Sequence, residues 1–243
     1  MGYLLCFFLL QIMQQVIGSA GFHASSGSPT ITYVQGGTPA TGAASTVACS
    51  TAGSVTSGDI VIVTTKVGNT GIPTVGLSST SGPSITWTTS TAVRDFSGSY
   101  LANIGWGVAP TSGTETVTIT WTGGTSAGFV DCSLAVMHST SGWQSTPLDV
   151  QVSAASATGA NTTCTPGTTA TTTNANDLVV GVCFNFNTAQ SYGAVTGYTF
   201  QSASSRNTTA FYWKQATTTG TQTISIPIAS DVFTSFLITF KPN

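Results

Sequence analysis

Seven side chains in the 243 residues are carboxylic acids: Glu115, Asp59, Asp95, Asp131, Asp149, Asp177 and Asp231. Cleavage of a glycosidic bond needs two of them flanking one bond. Glu115 has Asp95, Asp131 and Asp149 as conceivable partners, but no motif draws any pair together, and a turn-side, water-facing Glu115 is the simpler expectation. His138, Asp131 and a serine have the composition of a triad. Serine is abundant here, no nucleophile elbow is expected, and His138 is expected to end a strand. Oxygen ligands are densest at Asn174, Asn176 and Asp177, with too few carboxylates for a strong calcium site, so a capped turn is expected. No C-x-x-C spacing occurs, and the histidines are His23 and His138, so zinc is not expected. The expectation is a non-enzyme with no cofactor and no metal.

Tryptophan supplies the binding chemistry. Trp143 lies in the polar stretch Ser141-Gly-Trp-Gln-Ser-Thr, and Trp121 has no aromatic counterpart in the second half of the chain. An exposed indole stacks on a sugar ring and donates one N–H. Trp143 and Trp121 are therefore the candidate ligand-binding residues, the rival role for Trp143 being to cover a seam. Asn161-Thr-Thr and Asn207-Thr-Thr fit the glycosylation sequon and make Asn161 and Asn207 candidates for modification.

The positions of these residues follow a pattern stated twice. Val34-Gln35, Ala40-Thr-Gly-Ala43, Cys49 and Gly58-Asp59-Ile60-Val61 are echoed by Val150-Gln151, Ala157-Thr-Gly-Ala160, Cys164 and Asn176-Asp177-Leu178-Val179. Ile104-Gly-Trp106 is echoed by Phe211-Tyr-Trp213, Thr116–Ile119 by Thr221–Ile224, and Phe129–Val136 by Phe233–Ile238. A repeat this long reads as a duplicated structural unit, in which shared aromatics such as Trp106 and Trp213 belong to the core. Asp59 and Asp177, each opening an equivalent strand, are expected to bond neighbouring backbone amides.

The elements are strands. Ile60 to Thr65 is apolar on both faces, while Leu178, Val180, Val182, Phe184 and Phe186 point one way and their neighbours the other. Val117, Ile119 and Trp121 alternate with threonines, whose branched Cβ suits a half-buried pleated surface. Dense turn signals such as Gly36-Gly37, Ser81-Gly-Pro83, Gly123-Gly124 and Ser141-Gly142 punctuate them. The fold class expected is all-β, as two duplicated antiparallel β-sandwich units of jelly-roll or immunoglobulin-like type, 21–143 and 144–243. One large sandwich built from both copies is the alternative.

Met1 to Met13 is apolar and short for a membrane span, and Gly18-Ser-Ala20 suits signal peptidase, so residues 1–20 read as a secretory signal. A buried N-terminal segment is the rival. With Cys6 removed, Cys49, Cys132, Cys164 and Cys183 remain, an even number that suggests two disulfides in an exported chain. Pairing within each copy gives Cys49–Cys132 and Cys164–Cys183, with buried thiols as the other possibility. Charged residues are 5% and net charge is −2, too little cation to neutralise a phosphate backbone, so nucleic acid is excluded as a partner. A mature form without a membrane span, secreted or at the cell surface, is expected.

The order Gly58-Asp59 with an apolar strand, Trp106, Thr116-Val-Thr118, Ser141-Gly142 and Pro147-Leu-Asp149 resembles a module of exported bacterial, archaeal and phage proteins. The resemblance covers most of 30–243. It implies a jelly-roll or immunoglobulin-like sandwich in surface, adhesive or carbohydrate-associated proteins, and no catalytic residue. The function expected is a non-catalytic structural or adhesive subunit of an extracellular assembly: a filament, surface layer or virion. Its partners would be copies of itself or other surface proteins, with the segment Gly21 to Pro39 free to add a strand to a neighbour. The alternative is a carbohydrate-binding module that uses its tryptophans on polysaccharide.

Overall fold

The computed structural model describes residues 27–38, 40–42, 46–68, 74–122, 129–157, 159, 161–186, 189–202 and 208–243. All regular structure among them is strand. The first half holds β1 (Ile31–Thr38), β2 (Ala40–Gly42), β3 (Thr46–Thr51), β4 (Ile60–Gly68), β5 (Thr74–Ser81), β6 (Thr88–Thr89), β7 (Val93–Arg94), β8 (Tyr100–Val108), β9 (Thr116–Thr122) and β10 (Phe129–Ser139). The second holds β11 (Trp143–Ala155), β12 (Asn161–Cys164), β13 (Leu178–Asn185), β14 (Thr199–Ser202), β15 (Thr209–Gln215), β16 (Ile226–Asp231) and β17 (Phe233–Pro242). Every pairing between named strands is antiparallel, and the chain is all-β, as its period-two patterning dictates.

One path runs β5-β9-β3-β1-β10-β4-β8-β6 and curls back over itself, so that β5-β9-β3 forms a smaller sheet packed on the large sheet β10-β4-β8-β6. Its corner is β1. Ile31 to Gly36 pairs with β10, whereas Gly37 and Thr38 pair with β3. The bend depends on Gly37, where a Cβ would lie 2.6 Å from both Leu134 Cβ and the Ser50 carbonyl oxygen. Ile31–Thr38 therefore occupies a place inside its own chain. That corrects the expectation that Gly21 to Pro39 is a spare donor strand; Gly21 to Ser26 and Pro39 lie outside the described residues, as does the expected signal, 1–20.

The second large sheet has the order β11-β17-β13-β15-β14, and the pair β12-β16 forms a smaller sheet. The orders β1-β10-β4-β8-β6 and β11-β17-β13-β15-β14 run through corresponding stretches of the two halves. Ile62 faces Trp106 in one and Val180 faces Trp213 in the other, which puts the two tryptophans at the same station.

Three cores result. Val61, Val63 and Val67 of β4 pack with Val117, Ile119, Leu134 and Val136 inside the first half. Val179, Leu237 and Tyr212 pack with Ile224 and Ile226 inside the second. The third lies between the two large sheets, where Ile60, Ile62, Ile104, Trp106 and Met137 meet Leu178, Val180, Phe184, Phe236 and Phe240. This explains why β4 reads as apolar on both faces and why β13 is buried on both: each is covered on one side by its own outer sheet and on the other by the opposite half. Aromatic rings tie the middle core, with Trp106 edge-on to Phe240 at 5.6 Å and Tyr100 stacked on Phe186 at 4.6 Å.

Candidate functional site

Among the described residues Asp149 meets Asp177, while Glu115, Asp131, Asp59 and Asp95 each have surroundings of their own. Glu115, expected beside water, is buried; its N–H donates to Thr51 Oγ1 at 3.1 Å, and burial raises its carboxyl above the ordinary value. Asp131 lies 3.2 Å from Lys66 Nζ, with both side chains buried. Lys66 Nζ also donates to the Asn185 carbonyl at 2.9 Å and to Thr208 Oγ1 at 2.6 Å, which joins the first half to the second. His138 is near the end of β10 and takes Asp59 as its acid partner, Nδ1 to Oδ1 2.8 Å. Asp59 also accepts the Thr56 N–H at 2.8 Å, the backbone-capping role expected of it. Asp95 accepts the N–H groups of Ser97 and Tyr100 and closes the turn before β8.

A pentapeptide with the spacing of a nucleophile elbow does occur at Gly124-Thr-Ser126-Ala-Gly128, against expectation. It falls outside the described residues. The segments that flank it are strands, β9 and β10, whereas the elbow's exposed serine depends on a strand-to-helix turn.

Asp177 departs from its counterpart Asp59. It shares a site with Asp149, and Lys241 holds the station that His138 holds in the first half, 3.8 Å from Asp149. Thr173 donates its N–H to Asp149 at 2.5 Å and its hydroxyl at 2.6 Å. Burial, then the hydrogen bond and negative charge of Asp149, push Asp177 up to about 8. Burial raises Asp149 as well, but the Thr173 donors, Asp177 and Lys241 outweigh it and hold Asp149 below its ordinary value. Asp177 therefore keeps its proton in a range where Asp149 is ionised. Neither is adjacent to a described cavity. Asn174 Oδ1 accepts the Asn176 N–H at 2.9 Å, which is a capped turn, and no cluster of three or more His, Cys, Asp or Glu is present among the described residues.

The predicted binding residues separate. Trp143, at 7% exposure, belongs to the middle core and starts β11, so its indole packs between the halves and offers no open face. This is its rival role, cover for the seam. The backbone of Trp121 is in β9, opposite Val75, and its side chain lies outside what is described. Asn161 is half-buried in β12 and donates from Nδ2 to the Asp231 carbonyl at 3.3 Å; Asn207 lies outside the described residues. Cys49 is bonded to Cys132 and Cys164 to Cys183, each linking a smaller sheet to the large sheet of its own half.

Two features that the sequence did not single out stand at the smaller sheets. The first is an edge. β5 pairs with β9 on one side and with no described strand on the other. Thr74, Gly76, Ser78 and Thr80 are exposed along it, and it contains neither charge nor proline. The corresponding edge of β16 is closed. Ile226 faces Cys164 as Val117 faces Cys49, so β16 stands where β9 stands. Pro227 has no N–H to offer, and the Ala229 N–H is taken by Gln190 Oε1 at 2.7 Å.

The second is a groove of about 610 Å³ in the second half, lined from 165–168, 194–198 and 223–225. Its frame is hydrogen-bonded: Thr168 bridges Thr223, the Tyr198 N–H donates to the Val195 carbonyl, and the Tyr198 hydroxyl donates to the Thr223 carbonyl at 2.9 Å. Lys214 Nζ lies 4.6 Å from the centre of the Tyr198 ring.

The two disulfides accord with an oxidising, extracellular environment. No helix among the described residues is long and apolar enough to cross a membrane. No protein-family model, curated protein or solved structure matches the chain.

Proposed function

We propose that this chain is a non-catalytic exported protein that serves as a structural or adhesive subunit of an extracellular assembly, and that copies join by strand addition at β5. The single observation that carries the reading is the asymmetry of the two smaller sheets. An unpaired row of N–H and C=O groups is a template for another strand, and proteins that stay apart blunt such edges with charge, proline or cover. Here β16 is blunted by Pro227 and Gln190, while no described strand covers the outer edge of β5. A second copy's β5, running antiparallel, supplies a matching uncharged strand and extends the smaller sheet without a new fold. The low charge of the chain opposes such contact little. The resemblance of the motif order to exported bacterial, archaeal and phage modules is in keeping with this reading, as are the disulfides. The tryptophan route to carbohydrate has less ground, since Trp143 is committed to the core.

Sedimentation velocity tests the contact. The oxidised protein is expected to form concentration-dependent oligomers, and Ser78→Lys, which places a charge on the exposed face of β5, is expected to return them to single chains with an unchanged melting temperature. Single chains at every concentration, or identical oligomers in Ser78→Lys, would refute it.

A further inference from the structure

We infer that the groove between 165–168, 194–198 and 223–225 is a binding site for a neutral oligosaccharide. This inference does not rest on assembly through β5, because the groove is in the other half of the chain.

The groove exists because the halves differ at one place. Thr223 precedes Ile226 by three residues, as Thr114 precedes Val117, so the two threonines hold equivalent stations. In the first half that station is covered by chain: a Cβ on Gly82 would lie 2.3 Å from the Thr114 carbonyl oxygen, and Pro83 and Ile85 are buried beside it. In the second half nothing equivalent to β5 and the turn after it exists among the described residues, and the Tyr198 hydroxyl takes the Thr223 carbonyl instead. The volume left open is within the range of ligand sites, about 300–1,000 Å³.

The lining sets the ligand class. Thr165, Thr168, Thr196, Thr223 and Ser225 bring hydroxyls that both donate and accept. Val195, Ile224 and the Tyr198 ring bring apolar surface between them. No carboxylate, amine or guanidinium is in the lining. A phosphate, sulfate or uronate would find no cation among the lining residues, Lys214 lying against the Tyr198 ring at 4.6 Å from its centre. A purely apolar ligand would strand the hydroxyls. A pyranose presents hydroxyls at its rim and C–H groups on its faces, and matches both kinds of surface. Because the frame is fixed by the Thr168–Thr223 bridge and the Tyr198 bonds, little ordering is required on binding.

The test is NMR titration of the full oxidised chain with cellohexaose, xylohexaose, laminarihexaose and chitohexaose, and with oligogalacturonate as the charged comparison. At least one neutral hexaose should saturate at millimolar concentration and shift amides at 165–168, 194–198 and 223–225. Tyr198→Ala and the groove-filling Thr168→Trp should each weaken that binding at least about tenfold. Thr168→Trp, which removes no packing, keeps the result readable if Tyr198→Ala does not fold. Absence of saturable shifts with all four neutral hexaoses, tighter binding of oligogalacturonate, or affinity unchanged in Thr168→Trp would each overturn the assignment.

Discussion

The same acid has two fates at equivalent stations. Asp59 has a histidine and a backbone amide for partners. Asp177 meets another acid, Asp149, and the lysine at the histidine's station, Lys241, reaches Asp149 instead. The consequence is a pH dependence of stability with a definite sign. In the unfolded chain Asp177 loses its proton near pH 3.8, while in the fold it keeps it to about 8. The folded state binds more protons across that window, so stability falls as pH rises from about 4 to 8. Asp149 acts oppositely: its value is lowered, so its contribution is lost only on acidification below the ordinary carboxylate range. Melting temperature should therefore drop between pH 5 and pH 8, and Asp177→Asn should flatten that part of the curve. Parallel curves for wild type and Asp177→Asn would show that Asp177 does not hold its proton across this range. The charge facing this pair is Lys241 on β17, and the neutral donors are Thr173 before β13 and Thr239 on β17. None of this was legible in sequence, since Asp149 and Asp177 are brought together only by the pairing of β11, β17 and β13.

At the scale of elements, strands and their centres were plain from alternation, and edges were not. Ile60 to Val63 and Leu178 to Phe184 show apolar faces that have to be covered, so their place in the middle of sheets was readable. The last smaller-sheet strand was misplaced. Thr221–Ile224 matches Thr116–Ile119 in composition, but pairing puts Ile226 opposite Cys164, so Ser225 to Ile228 is the true equivalent, carrying Pro227 where β9 has Thr118. Threonine repetition created the false match. The disulfides, by contrast, followed from keeping each pair within one half. They should differ in weight. Cys49–Cys132 closes 83 residues and Cys164–Cys183 closes 19. Loop-closure entropy assigns them roughly 4.5 and roughly 3 kcal/mol. Replacing Cys49 and Cys132 by Ala should lower the urea midpoint more than replacing Cys164 and Cys183. The reverse order would mean that native packing, not chain closure, sets their worth.

Across the whole molecule, the two halves are bound by a shared core as apolar as their own interiors, so cooperative unfolding in one transition is expected. β4 and β13 are buried on both faces, and the middle core lies between the two large sheets they belong to. The buried pair Lys66–Asp131 lies at that junction, where Lys66 also bonds Asn185 and Thr208 of the second half. Lys66→Met leaves Asp131 without its cation in a dry site, which should cost about 3–5 kcal/mol, whereas Lys66→Met with Asp131→Leu should recover most of it. Urea unfolding of the single and double variants measures this; a double variant no better than the single would mean that the pair is not the source of the cost.

The assembly reading is tested most directly by cryo-electron microscopy of the oxidised, full-length protein at concentrations where it sediments as oligomers. The expected image has β5 of one copy lying antiparallel to β5 of the next, with the smaller sheet continuous across the contact and β16 left outside it. Lone chains throughout the grid, or copies joined at another surface with β5 still exposed, would contradict the account.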